Sequence, residues 1–247
     1  MLVRPGRFSE KMLTNGFFAC ITFLEAAPRA PGQDPRLLFC SPCGIMLAFG
    51  ETASEPNRNL SPDTMPPHFR QAMDCDTQAI LDVARSAFGS RQGDEIATLI
   101  DNLLGDPTAH PLLSVVATNN EVIVGHVLFT RVSLERCPET VSASILAPLA
   151  VHPDFQNRGI GGMLIAEGLK RLRQMGVDLV FVLGDPGYYR KHGFSPAGVE
   201  GYAPPYPIAP EHADAWMAQE LRPGIIGRTN GRVTCAQTLS DPKHWQE

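Results

Sequence analysis

No stretch of the 247 residues stays apolar for the ~20 positions that a membrane-spanning helix needs. A signal peptide is also missing a proper core. Arg4, Arg7 and Lys11 precede the apolar run 17–24, but that run is short and Glu25 interrupts it before Ala26 and Ala27. Basic charge is scarce: 21 Lys and Arg stand against 26 Asp and Glu, a net charge of −5. Nucleic-acid binders ordinarily carry a basic face, so nucleic acid is not the expected partner, and neither is a membrane. The six cysteines (Cys20, Cys40, Cys43, Cys75, Cys137 and Cys235) are too few and too irregular for a disulfide scaffold. Cys40-Ser41-Pro42-Cys43 is a C-x-x-C pair. Zinc would need two further ligands at suitable spacing, and none follow. A redox pair would need a strand-to-helix setting, whereas Pro and Gly surround this one. Unpaired structural thiols and no metal are the expectation.

What is present is ordinary for a globular protein: 43% apolar and 19% charged residues. The chain nevertheless divides. Residues 1–65 hold seven Pro, with no sustained helical or alternating period. Their basic and acidic residues balance, so the whole net charge lies beyond them. They are expected to form an irregular extension or linker. Met65 directly precedes a folded domain over 66–237, and 238–247 is expected to be a tail. Residues 1–64 are expected to be dispensable for that domain.

Within the domain, 68–72 is a short strand candidate, and Asp74 or Asp76 is placed to cap the helix that follows. Ile80, Val83, Ala84, Ala87 and Phe88 share one helical face up to Gly89, and Ile96, Leu99, Ile100, Leu103 and Leu104 repeat the pattern up to Gly105. Strands are expected at 112–118 and 121–134, joined by a turn at Asn119-Asn120. His126 on the second reads as a structural histidine. A strand at 144–151 carries Pro148, which cannot donate to a ladder, so pairing should break there or leave one side open. A helix over 163–175 and a nearly all-apolar strand over 178–184 come next. A short helix over 188–192 closes at Gly193. Residues 201–210 read as a Pro-rich loop, 213–221 as a short helix and 232–237 as a last strand.

The most telling segment is Gln156-Asn157-Arg158-Gly159-Ile160-Gly161-Gly162, between the strand and the amphipathic helix. Gly residues let backbone approach a ligand closely, and successive N–H groups then point at it. The helix N-terminus adds unpaired donors and about half an elementary positive charge. An anion, such as a pyrophosphate, suits this turn. A dinucleotide fingerprint does not fit. That motif needs a Gly at position 164, where Leu stands, and it follows a first strand rather than a late one.

The run Leu149-Ala150-Val151-His152-Pro153-Asp154-Phe155-Gln156-Asn157-Arg158-Gly159-Ile160-Gly161 resembles the acetyl-CoA-binding motif of the GNAT superfamily of N-acetyltransferases. Tyr188-Tyr189-Arg190-Lys191-His192-Gly193-Phe194 resembles the family's short helix ending in Tyr-x-x-x-Gly-Phe. The Gly-Asp-Pro-x-Tyr-Tyr form, with Asp185 where many members carry Asn, is similar to a subgroup of predicted acetyltransferases. The resemblance implies a mixed α/β fold over the domain, with a central mixed sheet flanked by helices. It implies that the pyrophosphate lies on the N–H groups of Arg158, Gly159, Ile160, Gly161, Gly162 and Met163, with Gln156 and Asn157 in the same loop. Gln156 orients the loop or touches pantetheine, and Arg158 adds a charge-assisted contact or stays solvated. Leu149, Ala150 and Val151 form the strand backbone beside pantetheine. Tyr189 takes the place of the acid that protonates the departing thiolate, or else only packs there.

The function implied is transfer of acetyl from acetyl-CoA to a primary amine by direct attack in a ternary complex, in the cytoplasm, where acetyl-CoA is made. The alternative is a non-catalytic acyl-CoA sensor or partner-binding module. Glu95, Asp154 and Asp185 are the base candidates, with Asp185 also placed as the N-cap of the short helix that follows it, and Tyr202, Tyr206, Glu211 and His212 compete between acceptor pocket and surface loop. The acceptor, small molecule or peptide, is not readable, and a homodimer stays open.

Overall fold

The computed structural model describes residues 66–137 and 140–245. The extension at 1–65, with its C-x-x-C pair and the dispensability expected of it, lies outside the described residues. In chain order the elements are β1 (His68–Gln71), α1 (Thr77–Gly105), β2 (Leu113–Asn119), β3 (Val122–Glu135), β4 (Ala143–Val151), α2 (Ile160–Gln174), β5 (Leu179–Leu183), α3 (Pro186–Tyr189), β6 (Ser195–Pro196), β7 (Tyr202–Ala203), β8 (Trp216–Glu220) and β9 (Gly231–Thr234). The sheet runs β1-β2-β3-β4-β5-β8-β6, and β9 pairs both the end of β3 and β7. Along the path from β1 to β6, β4–β5 is parallel and the other neighbours are antiparallel; β7–β9 is parallel as well. This is the mixed sheet the motifs imply.

Helices cover both faces. α2 lies on the face built by Val127, Phe129, Leu146, Leu149, Val180 and Val182. It comes close because Gly168 stands over the Phe129 ring, where a Cβ would overlap the ring carbons. α1 covers the face that includes Val116, Ile123 and Ala150. The two helical stripes read in the sequence form one run, broken at Gly89, whose φ of 68° is a left-handed angle that L side chains rarely adopt. Arg85 pairs with Asp94 across that break at 3.1 Å and with Asp82 on its own side at 2.8 Å. Asp76 does not cap α1 with its side chain. It accepts from the Met73 N–H and pairs with Arg70 at 2.6 Å.

Two expectations are corrected. Residues 213–221 are not a helix: a 3-10 turn over Pro210–Ala215 leads into strand β8. Met217, Ala218, Gln219 and Glu220 are good helix formers, but the free edge of β5 needs a partner, and β8 supplies it from Leu179↔Glu220 to Leu183↔Trp216. Nor do the described residues of the expected tail, 238–245, hang free of the domain. Trp245 is buried, edge-on to Trp216 at 5.9 Å, and its indole N–H donates to the Leu239 carbonyl at 2.7 Å. Tyr206 leans on Trp245 and donates to the Ser240 carbonyl.

Asp106 ties this last segment down. One carboxylate oxygen accepts from the Thr108 N–H and hydroxyl, the other from the Thr238 N–H and hydroxyl, all between 2.6 and 2.9 Å. Burial pushes its pKa up, but those four donors outweigh burial and hold it at about 2. The folded value lies below the ordinary 3.8. Its stabilisation is therefore complete above pH ~4 and is lost as pH falls through ~4 toward ~2. Asp106→Asn should lower the melting temperature at pH 7 and flatten the acid limb of a melting-temperature profile between those values. An unchanged acid limb would contradict this role.

Candidate functional site

The site begins where β4 leaves β5. The parallel ladder runs from Ala143↔Leu179 to Leu146↔Val182 and stops. Gly184 then turns away, its N–H bonding the Ala215 carbonyl at 2.9 Å. On the other side β4 skips a step against β3 between Leu146↔Phe129 and Leu149↔Val127, leaving Ala147 and Pro148 without partners, and resumes to Val151↔Gly125. Pro148 thus interrupts one ladder at the point where the other ends.

The open edge can be assigned residue by residue. The His152 N–H bonds the Val124 carbonyl at 2.9 Å, so it faces β3. Backbone groups alternate along a strand, so Ala150 faces β3 as well, while Leu149 and Val151 turn theirs into the gap. The Val151 carbonyl agrees: it accepts from Gln156 Nε2 at 2.9 Å on that side. Gln156 therefore ties the loop to the strand end.

After a 3-10 turn over Pro153–Phe155, Asn157 (φ 59°) and Gly159 (φ 78°) take left-handed conformations that swing the chain into α2. Ile160, Gly161 and Gly162 open the helix, where N–H groups have no intrahelical acceptor. Met163 departs from expectation. Its N–H already bonds the Gly159 carbonyl at 3.1 Å, closing the first turn. The donor set therefore ends at Gly162. Arg158 lies over the Phe155 ring at 5.2 Å.

α3 forms the opposite wall. Asp185 accepts from the Gly187 N–H at 2.8 Å and so caps α3, with Pro186 in its first turn. Tyr189 is buried, edge-on to Phe194 at 5.6 Å and to Tyr188 at 5.3 Å. It shares one cluster with Leu149, Ile160 and Leu164, so the two motifs meet in space. Two neighbours touch the loop directly: His192, to which the sequence assigns no role, and Tyr188, which reads from the sequence as an outward or substrate-facing residue. A Cβ on Gly161 would fall 2.7 Å from the Tyr188 hydroxyl, and one on Gly162 would fall 2.7 Å from His192 Cε1. The signal was the four-residue spacing of Tyr188 and His192, which puts both on one face of a helical turn. Burial pushes the Tyr188 phenol up to about 12. Burial and then Lys191 hold the His192 imidazole below its ordinary value.

Other candidates separate from this cluster. Glu95 lines a cleft of about 660 Å³ with Asp106, Lys243 and His244, and no residue of the loop or α3 borders it. Asp154 is exposed beside His152, at 3.9 Å. Tyr202 is buried with its hydroxyl on Thr229 at 2.7 Å, and Tyr206 is bound to the C-terminal segment, so both are structural. His126 is fully buried, with Nε2 on the Ser114 hydroxyl at 2.9 Å. Burial lowers its pKa to about 3, a poor value for a base at neutral pH. Among the described residues no cluster suits a metal ion, and no helix is long and apolar enough to cross a membrane.

Comparison with known proteins places this geometry. The family model described as "Acetyltransferase (GNAT) domain" matches residues 68–197. A protein of Escherichia coli K12 named "uncharacterized N-acetyltransferase YjhQ" is 44% identical over 163 residues, 65% of this chain and 87% of the relative. YhbS of the same organism, also named an uncharacterized N-acetyltransferase, is 34% identical over 106 residues, 42% of this chain and 61% of its own. The crystal structure of E. coli YhbS in complex with CoA superposes with a TM-score of 0.63 at 27% identity, covering 72% of this chain and 96% of that one. A Brucella melitensis GNAT acetyltransferase in complex with acetyl-CoA gives 0.56 at 27% identity, covering 70% and 98%. With a strand that parts from its neighbour, a glycine loop at a helix start and a family match over more than half its length, this chain belongs to the GNAT family of acetyltransferases.

Proposed function

We propose that the protein is an N-acetyltransferase that takes acetyl-CoA as co-substrate and passes the acetyl group to a primary amine by direct attack in a ternary complex. The observation that carries this reading is the open edge of β4 next to the N–H cradle of Gly159, Ile160, Gly161 and Gly162. The cradle takes the diphosphate, because unpaired N–H groups at a helix start suit an anion. Pantetheine then lies along Leu149 and Val151 as an added strand. The Leu149 N–H turns into the gap and polarises the thioester carbonyl as charge builds on its oxygen.

The chemistry balances with few parts. The amine nitrogen attacks the acetyl carbon, the C–S bond breaks, and the thiolate takes a proton from a phenol. Tyr189 is the proposed acid, on its motif position and its place in the cluster with Leu149 and Ile160. A phenol can give its proton to a thiolate leaving group. Among the described residues no Cys belongs to the loop or α3, so the acetyl group needs no enzyme-bound stop. The amine sheds its proton to water or to a carboxylate.

Release of free thiol from acetyl-CoA with a panel of amines tests the reading. Turnover with at least one amine supports it, whereas CoA binding without turnover on any of them would favour the sensor instead. Tyr189→Phe, which keeps the buried ring, should reduce turnover roughly 100-fold or more at saturating acetyl-CoA while leaving CoA binding in place. Full turnover would remove the acid assignment. Gly161→Ala pushes a methyl group against the Tyr188 hydroxyl and crowds the cradle, so KM for acetyl-CoA should rise roughly tenfold with little change in melting temperature. Adding Tyr188→Phe should recover part of that loss, and an unchanged KM in the single variant would contradict the cradle.

A further inference from the structure

His192 is not accounted for by the reaction just described. Its ring touches the first turn of α2: Cε1 lies 2.7 Å from the Cβ position of Gly162, with Nε2 at 3.4 Å and Nδ1 at 3.7 Å from the same point. Both ring nitrogens therefore lie close to the N–H groups proposed to hold the diphosphate. The ring is held there by the Tyr188 ring, 4.9 Å away. Main-chain N–H groups offer only partial charges, and a diphosphate brings two full negative charges. A side chain that gains a proton when the anion arrives would balance part of that charge.

We propose that His192 is a further cofactor-binding residue, one that is neutral in the empty site and takes up a proton as the CoA diphosphate binds. The inference rests on the CoA reading above. The surroundings of the ring support it from each side. From its own segment Lys191 opposes protonation, and burial acts in the same direction. From α3 the Tyr188 phenol faces it and stays uncharged through the neutral range, with its pKa at about 12. From α2 comes Gly162, and the helix carries no ionisable side chain between Arg158 and Glu167. Glu167 is spent on Lys170 and Arg171, at 3.3 and 2.8 Å. Among the described residues, therefore, no negative group favours protonation of His192 in the empty site, and an incoming diphosphate supplies one. The sign follows. The pKa lies below its ordinary value in the free protein and above that free-state value in the complex, so affinity for the anion strengthens as pH falls through the interval between the two. The slope of log Kd against pH there reaches at most about one unit per pH unit.

Calorimetry with dephospho-CoA reads this directly. That probe keeps the diphosphate but lacks the 3′-phosphate, whose own second ionisation near pH ~6 would otherwise blur the result. Titrations at pH 7 in two buffers of different ionisation enthalpy give the number of protons taken up. The wild-type protein should take up a measurable fraction of a proton. His192→Phe, which keeps the aromatic packing on Tyr188, should take up none and bind roughly tenfold more weakly. His192→Gln, which keeps a donor but does not titrate, should also take up none while keeping part of the affinity; melting curves confirm that each variant is folded. Binding of the wild type without proton uptake, or equal uptake in the folded variants, would overturn the role of His192 and leave the CoA reading standing. No binding heat from dephospho-CoA or from CoA itself with the wild type would overturn both.

Discussion

The site exists because one strand loses one neighbour and keeps the other. β4 separates from β5 after Leu146 yet stays bonded to β3 through Val151. Exposing strand backbone ordinarily costs stability, since each buried N–H or carbonyl without a partner carries a desolvation penalty of about 1–3 kcal/mol. Here the exposed groups are few, and Gln156 already satisfies the Val151 carbonyl. What remains open is a short edge shaped to accept one more extended chain, which is the general physics of strand addition.

The rest of the domain keeps that opening rigid. α2 must stand close to the sheet for its first turn to reach the strand end, and Gly168 above Phe129 permits the approach. β8 pairs the far side of β5, so β5 does not have to close the gap to satisfy its own backbone. Asp185 caps α3, from which Tyr188 and the following His192 meet the loop from the opposite wall. Arg158 directly precedes the helix start, while Asp106, one of the acidic residues, is spent on its threonine donors.

Much of this was legible in the residues. The strand, glycine loop and helix from Ile145 to Met175 announce themselves through apolar period and turn chemistry, and Pro148 marks the interrupted ladder. Asp185 as a cap follows from Pro186 and Gly187 beside it. Other features depend on tertiary partners that no local pattern reveals. The stretch Trp216–Glu220 has the composition of a helix, and only the unpaired edge of β5 makes it a strand. Trp245 looks like part of a polar tail until Trp216 and Tyr206 are brought beneath it. The Met163 N–H looks like a free donor, but helical geometry uses it in the first turn. Tyr188 and His192 stand in the family's motif without defining it, and their contact with Gly161 and Gly162 appears only when α3 folds back on α2.

Residue-level amide hydrogen exchange, followed with and without CoA, addresses the central claim most directly. If main-chain N–H groups of the loop and of β4 grip the cofactor, then Gly159, Ile160, Gly161 and Gly162 should become strongly protected on adding CoA, together with Leu149 and Val151. The N–H groups of Ala150 and His152, which face β3, should change far less. Protection confined to other parts of the domain, or no change at these six positions at saturating CoA, would contradict the account.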